Sequence, residues 1–228
     1  MIARPAEAGF REPRQQRSRH NLQRIVAATE SILVERGPEG VTVQDVVDHA
    51  GTSVGAFYAR FDGKEAVMRY VEDRFWSAAE ERWTGYLDPT RWKSVTAAAV
   101  VARVVRQLVR LQNDARRPFR AFLLQALSRS DAGLLERTRR LDLHVAVLMS
   151  ALMVERGAGL THPDPGRAAR DGFLRVIGSA RDLAVFGTAD EENVREGILA
   201  LVRMYGAFLD VDGLPQRYGA LVRLCAAS

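Results

Sequence analysis

The stretch TVQDVVDHAGTSVGAFYARFDGKEAV, residues 42–67, decides the fold. Thr42 stands three residues before Asp45, the spacing of a helix-opening capping pair. The short helix that follows is expected to run through His49, with Val46, Val47 and Ala50 on its apolar face. Gly51 breaks it, because glycine enters left-handed backbone at no steric cost. Ser53 can cap a second short helix running to about Arg60, with Val54, Phe57 and Phe61 as its apolar face. Its other face carries Ser53, Gly55, Ala56 and Ala59, all small, flanked by Tyr58 and Arg60. Asp62 and Gly63 make a further break, and Lys64 opens a longer helix. Two short helices joined at a tight glycine turn, the second with a small-residue outer face, have the form of a helix-turn-helix. In that motif the second helix enters the major groove of duplex DNA.

Upstream of this stretch, Leu22, Ile25, Val26, Thr29, Ile32 and Leu33 recur at helical spacing. They predict a helix from about Ser18 that stops at Gly37 and Pro38. Residues 1–17 hold Pro5, Gly9 and Pro13 among many charges, without periodicity, and read as a flexible arm. The first 24 residues carry six arginines (Arg4, Arg11, Arg14, Arg17, Arg19 and Arg24) against Glu7 and Glu12. Much of the chain's net charge of +5 is therefore local to this end. The global charge says less. All but two of the 33 basic residues, Lys64 and Lys93, are arginine, which looks like a compositional habit.

The helix opened near Lys64 is expected to continue through the Phe75, Trp76 and Trp83 region, and further helices are expected over 92–112, 116–129, 131–156, 166–186, 190–210 and about 215–226, with no alternating strand pattern. The expected fold is all-α. A three-helix DNA-binding domain over 18–64 follows the basic arm of 1–17, and a larger helical regulatory and dimerisation domain covers 65–228. With 47% hydrophobic and 27% charged residues among 228, the composition is that of an ordinary globular protein. No apolar run reaches the roughly 20 residues of a membrane span, and the first residues lack the apolar core of a secretory leader. Cys225 is the only cysteine, so no internal disulfide or cysteine zinc site is expected. These features point to a cytoplasmic setting. His20, His49, His144 and His162 lie in separate segments, and no phosphate loop or nucleophile motif is present. Neither an enzyme, a metal nor a cofactor is expected.

The segment from about residue 18 to 67 closely resembles the DNA-binding signature of the TetR family of regulators. The resemblance rests on Thr42, Ala50-Gly51, Ser53, Gly55, Ala56, Phe57, Tyr58, Phe61 and Lys64-Glu65. Val47 and Thr52 depart from the usual pattern at packing positions. The resemblance implies that Thr42, Tyr58 and Lys64 touch the DNA backbone while Thr52, Ser53, Gly55 and Ala56 face the groove. Arg60 can donate to phosphates, and Arg14, Arg17 and Arg19 can reach phosphates or a minor groove. It further implies a repressor that binds a palindromic operator as a homodimer and is released by a small apolar or amphipathic effector. Candidate pocket residues are Trp83, Phe119, Phe122, His144, Met149 and Phe173. Candidate dimer residues are Phe173, Ile177, Ala184, Ile198, Val202 and Tyr205. The alternative is a helical protein-binding adaptor, or an activator without a small-molecule ligand.

Overall fold

The computed structural model describes residues 9–13, 15–114, 121–122, 132–156, 162–186 and 190–226. Nine α-helices have described limits: α1 (Gln16–Arg36), α2 (Val43–Ala50), α3 (Val54–Tyr58), α4 (Lys64–Tyr86), α5 (Ala97–Asn113), α6 (Ala132–Arg156), α7 (Pro165–Phe186), α8 (Glu191–Leu209) and α9 (Tyr218–Ala226). Among the described residues the only extended pairing is one isolated antiparallel bridge between Phe10 and Phe61. The all-α expectation holds. The helix expected over 116–129 lies almost wholly outside the described residues. The region around residue 92 is a short 3-10 turn, Pro89–Trp92, capped by Asp88, rather than the start of α5.

The chain divides into two compact units, residues 1–78 with 115–134, and residues 79–114 with 135–228. The sequence placed the boundary at 64/65. The uninterrupted helical pattern of α4 carries the first unit further along the chain.

In the first unit, α1 presents Leu22, Ile25, Val26, Ile32 and Leu33 as one buried stripe. Thr29 is buried in the same stripe and satisfies its hydroxyl by donating to the Ile25 carbonyl at 2.8 Å. Such a bond one turn back makes burial of a hydroxyl tolerable. α2 lies against α1, and Val46, Val47 and Ala50 are buried as expected. In the second unit, α5 is rich in alanine and valine and packs against both α7 and α8, which pack on each other. Small side chains let these helices approach closely. Phe173 of α7 and Tyr205 of α8 meet with ring centroids 5.5 Å apart. The buried Tyr205 hydroxyl donates to the Ala169 carbonyl at 2.8 Å. Arg181 of α7 donates through one nitrogen to both carboxylate oxygens of Asp142 on α6, at 2.7 and 2.6 Å.

Phe173, Ile177, Ile198, Val202 and Tyr205 are all buried within their own chain. A side chain with no exposed surface has none left to give a second copy. Ala184 alone of that set is partly exposed.

Candidate nucleic-acid interface

α2 and α3 are held by local capping. The Thr42 hydroxyl accepts from the Asp45 N–H at 3.1 Å and donates to the Asp45 carboxylate. The Ser53 hydroxyl accepts from the Ala56 N–H at 3.2 Å. Each satisfies an N–H group that a helix start leaves open. Between them Gly51 sits at φ 57°, ψ 44°, the left-handed conformation that ends α2. Arg24 of α1 donates to the Gly51 carbonyl, and a Cβ at this position would stand 2.6 Å from that guanidinium. Gly51 is thus required twice, by backbone conformation and by this close approach.

α3 is only five residues long, and its two sides differ sharply. Phe57, with Phe61 just beyond the helix, is wholly buried. Val54 was expected on that apolar side and is instead 43% exposed. It lies one helical turn before Tyr58, which is 48% exposed, so the two share the outer face. Ser53, Gly55 and Ala59 are exposed there, with Ala56 and Thr52 half-buried beside them. Gly55 has ordinary helical backbone, and a Cβ added to it would meet no atom within 4 Å. Nothing inside the protein asks for glycine at this site. Yet glycine inside a helix costs roughly 0.5–1 kcal/mol relative to alanine.

The cations around this face are unequal. Lys64 is half-buried at the first turn of α4, and Thr42 is exposed at the start of α2. Arg17 and Arg19 are exposed, but they stand on the first turns of α1, which begins two residues earlier than expected. Arg14 lies outside the described residues. Arg60 is not free beside α3. Its guanidinium donates to the Ser18 hydroxyl and, at 3.2 Å, to the Ala59 carbonyl. These bonds join the start of α1 to the end of α3 and use two of the guanidinium's five N–H donors.

Residues 9–13 form a feature that sequence reasoning missed. Phe10 stacks on Tyr70 at 4.5 Å and on Phe61 at 5.5 Å between ring centroids. The Arg11 N–H donates to the Arg60 carbonyl at 2.8 Å, and the Asp62 N–H donates to the Gly9 carbonyl at 3.0 Å. The Arg11 side chain reaches the Tyr58 carbonyl at 2.9 Å and the Asp62 carboxylate at 2.6 Å. This strap satisfies the last carbonyl of α3, at Tyr58, which a helix end leaves open, and that of Arg60 just beyond it. Phe10 is the one large apolar residue in a polar stretch, and no periodicity marks it.

The expected pocket residues divide between the two units. Trp83, Met149 and Phe173 are buried in the core of the second unit. Phe122 belongs to the first unit, where it packs on Phe75 at 5.5 Å. Phe119 lies outside the described residues. His144 is half-buried, with Nε2 2.9 Å from the Thr84 hydroxyl. Among the described residues no helix is long and apolar enough to cross a membrane.

A glycine-turned helix pair with a capped, small-faced second helix defines a helix-turn-helix protein. Comparison with known proteins gives the N-terminal segment a family likeness. The sequence model of bacterial regulatory proteins of the tetR family matches residues 25–71. The chain is similar to an uncharacterised HTH-type transcriptional regulator in the lacX 3' region of Lactococcus lactis subsp. lactis, with 33% identity over 55 residues. That match spans 24% of this chain and 28% of the relative. Two crystal structures share the fold over most of both chains. One is a putative TetR-family transcriptional regulator from Mesorhizobium loti MAFF303099, with TM-score 0.66 and 17% identity, covering 85% of this chain and 98% of that one. The other is a transcriptional regulator from Rhodococcus sp. Rha1, with TM-score 0.61 and 21% identity, covering 84% and 99%. Residues 25–71 thus match the TetR-family N-terminal model, and the chain shares the fold of these two solved regulators.

Proposed function

We propose that the protein is a transcriptional repressor that binds a two-fold operator as a homodimer, with α3 of each copy in the major groove. The observation that carries this reading is Gly55. The protein tolerates a helix-weakening residue on an exposed face where no neighbour requires it, which suits a surface that a base edge must approach closely. Thr42, Tyr58 and Lys64 then bind the DNA backbone, and Thr52, Ser53, Gly55 and Ala56 face the groove. Arg17 and Arg19 add phosphate contacts from α1.

Two copies are needed on energetic grounds. A good bidentate base contact contributes about 1–3 kcal/mol, and α3 has few long polar side chains to make one. Specific regulators bind at about 10⁻⁸ to 10⁻¹¹ M. Joining two half-sites closes that gap through effective concentration. With the predicted dimer side chains buried, the surface left on the same helix pair is Leu174 and Gly178 of α7 with Ala200, Met204 and Ala207 of α8, all at least partly exposed. We assign the dimer to this outer face. Release by a small apolar or amphipathic effector completes the reading, with a coupling of about 1–3 kcal/mol between the effector site and the DNA heads. The family and fold do not suggest an enzyme.

The test is Gly55→Leu in the full chain. Leucine is a better helix former than glycine, so thermal stability should hold or rise. Affinity for duplex DNA from the region beside its own gene should fall at least about tenfold, the equivalent of 1.4 kcal/mol. Undiminished binding would show that this face does not meet the DNA.

A further inference from the structure

α5 is apolar except along one stripe, where Arg103, Arg106 and Arg110 recur at i, i+3 and i+7 and so share a face. Arg103 and Arg106 are half-buried and Arg110 is exposed. α9 packs on α5 and brings the Cys225 thiol among these cations. Burial pushes that thiol up, while Arg106, Arg103 and Arg110 pull it down. Tyr86, at the end of α4, closes the other side, its hydroxyl donating to the Arg103 carbonyl at 3.4 Å. Burial and then Cys225 raise the Tyr86 hydroxyl, while Arg103, Arg91 and Arg106 oppose them.

Among the described residues no carboxylate pairs with Arg103, Arg106 or Arg110. The Nε–H groups of Arg103 and Arg106 are buried without an acceptor. Buried donors left unmade are costly, and guanidiniums within two turns repel one another. One kind of ligand relieves both penalties. A carboxylate or phosphate accepts from several guanidinium donors at once and neutralises them.

We propose that the α5–α9 seam is a binding site for a small molecule bearing a phosphate or carboxylate group, held by Arg103, Arg106 and Arg110 with Tyr86 and Cys225 at its edge. The site belongs to the second unit and does not depend on the DNA reading of α3. It also differs from the apolar pocket expected from sequence, because its ligand enters by charge.

The chain's only cysteine lies within the site, so a neutral thiol reagent reports on it alone. Iodoacetamide labelling of the full chain is followed in sodium phosphate, sodium acetate and sodium chloride at equal ionic strength. A bound oxyanion covers the thiol and cancels the cations that favour the thiolate. A rise of one unit in thiol pKa slows labelling about tenfold. Slower labelling and a higher Tm in phosphate than in chloride are expected, with both effects lost in Arg106→Gln and in Arg110→Gln. Acetate protecting as well as phosphate assigns a carboxylate-tolerant site, and protection by phosphate alone assigns a phosphate site. Equal labelling in all three salts would overturn the proposal, as would protection that persists in both variants. Arg110 is exposed, so its variant keeps the test valid should Arg106→Gln fail to fold.

Discussion

Thr42, Ser53 and Gly51 show how far single residues determine this head. Each acts on backbone within five residues of itself, so its role was legible from spacing alone. Thr42→Ala should cost about 1 kcal/mol, as losses of a helix cap do, read as a lower denaturant midpoint for the first unit. Arg24 and Arg60 were not legible. Their partners, Gly51 and Ser18, lie 27 and 42 residues away in the sequence, and nothing in a local pattern reveals such pairs. Tyr58 has an exposed ring, so Tyr58→Phe should change stability by less than about 0.5 kcal/mol. It should nevertheless weaken DNA binding to a similar degree on every sequence, as loss of a backbone contact does. A change in base preference would contradict that role. Glu30 supplies a pH test. Burial pushes its carboxyl above the ordinary value, and Arg74 only partly offsets this. Between the ordinary pKa and the raised one, the native state holds a proton that the unfolded chain has lost. The stability linked to Glu30 is full below the ordinary carboxyl pKa and is lost as pH rises through the raised one. Glu30→Gln should therefore melt above the parent at pH 7, with the advantage gone near pH 4, where the carboxyl is largely protonated in both states (about 4.3 for an ordinary glutamate).

At the scale of elements, apolar stripes located the helices well, because a 3.6-residue period survives any context. A stripe does not say what buries it. The stripes of α7 and α8 were assigned to a second copy, whereas the structure turns them toward each other and toward α5. Val54 failed for a related reason. A helix of five residues has too few turns for periodicity to separate its faces, and only the buried position of Phe57 fixes them. The strap at residues 9–13 is the clearest case of an element without a pattern. One aromatic side chain docks it, and its hydrogen bonds close the end of α3. Aromatic pairs of this kind contribute about 0.5–1.5 kcal/mol beyond area burial. Phe10→Ala should lower the melting temperature modestly and weaken DNA binding by loosening α3. Binding unchanged in Phe10→Ala would mean that α3 holds its place without the strap.

At the scale of the molecule, the N-terminal head was readable because its function is written in a contiguous stretch. The second unit was not, because its chemistry is assembled from helices distant in sequence. The α5 arginines share a face by their own spacing, but Cys225 joins them only when α9 packs on α5. The same limit applies to the dimer, whose proposed surface is what remains after the intrachain core is removed. Sequence-specific binding of two chains to one DNA duplex can be tested in a single experiment. Anisotropy titrations of the full chain, at several salt concentrations, would compare duplex DNA from beside its own gene with a scrambled duplex of equal length and composition. The account predicts a preference for the natural duplex of at least about 10³-fold, with two chains per site. It also predicts affinity that falls steeply with salt, and less steeply by about one unit of slope in Lys64→Ala. Equal binding to both duplexes, or binding that ignores salt, would contradict it.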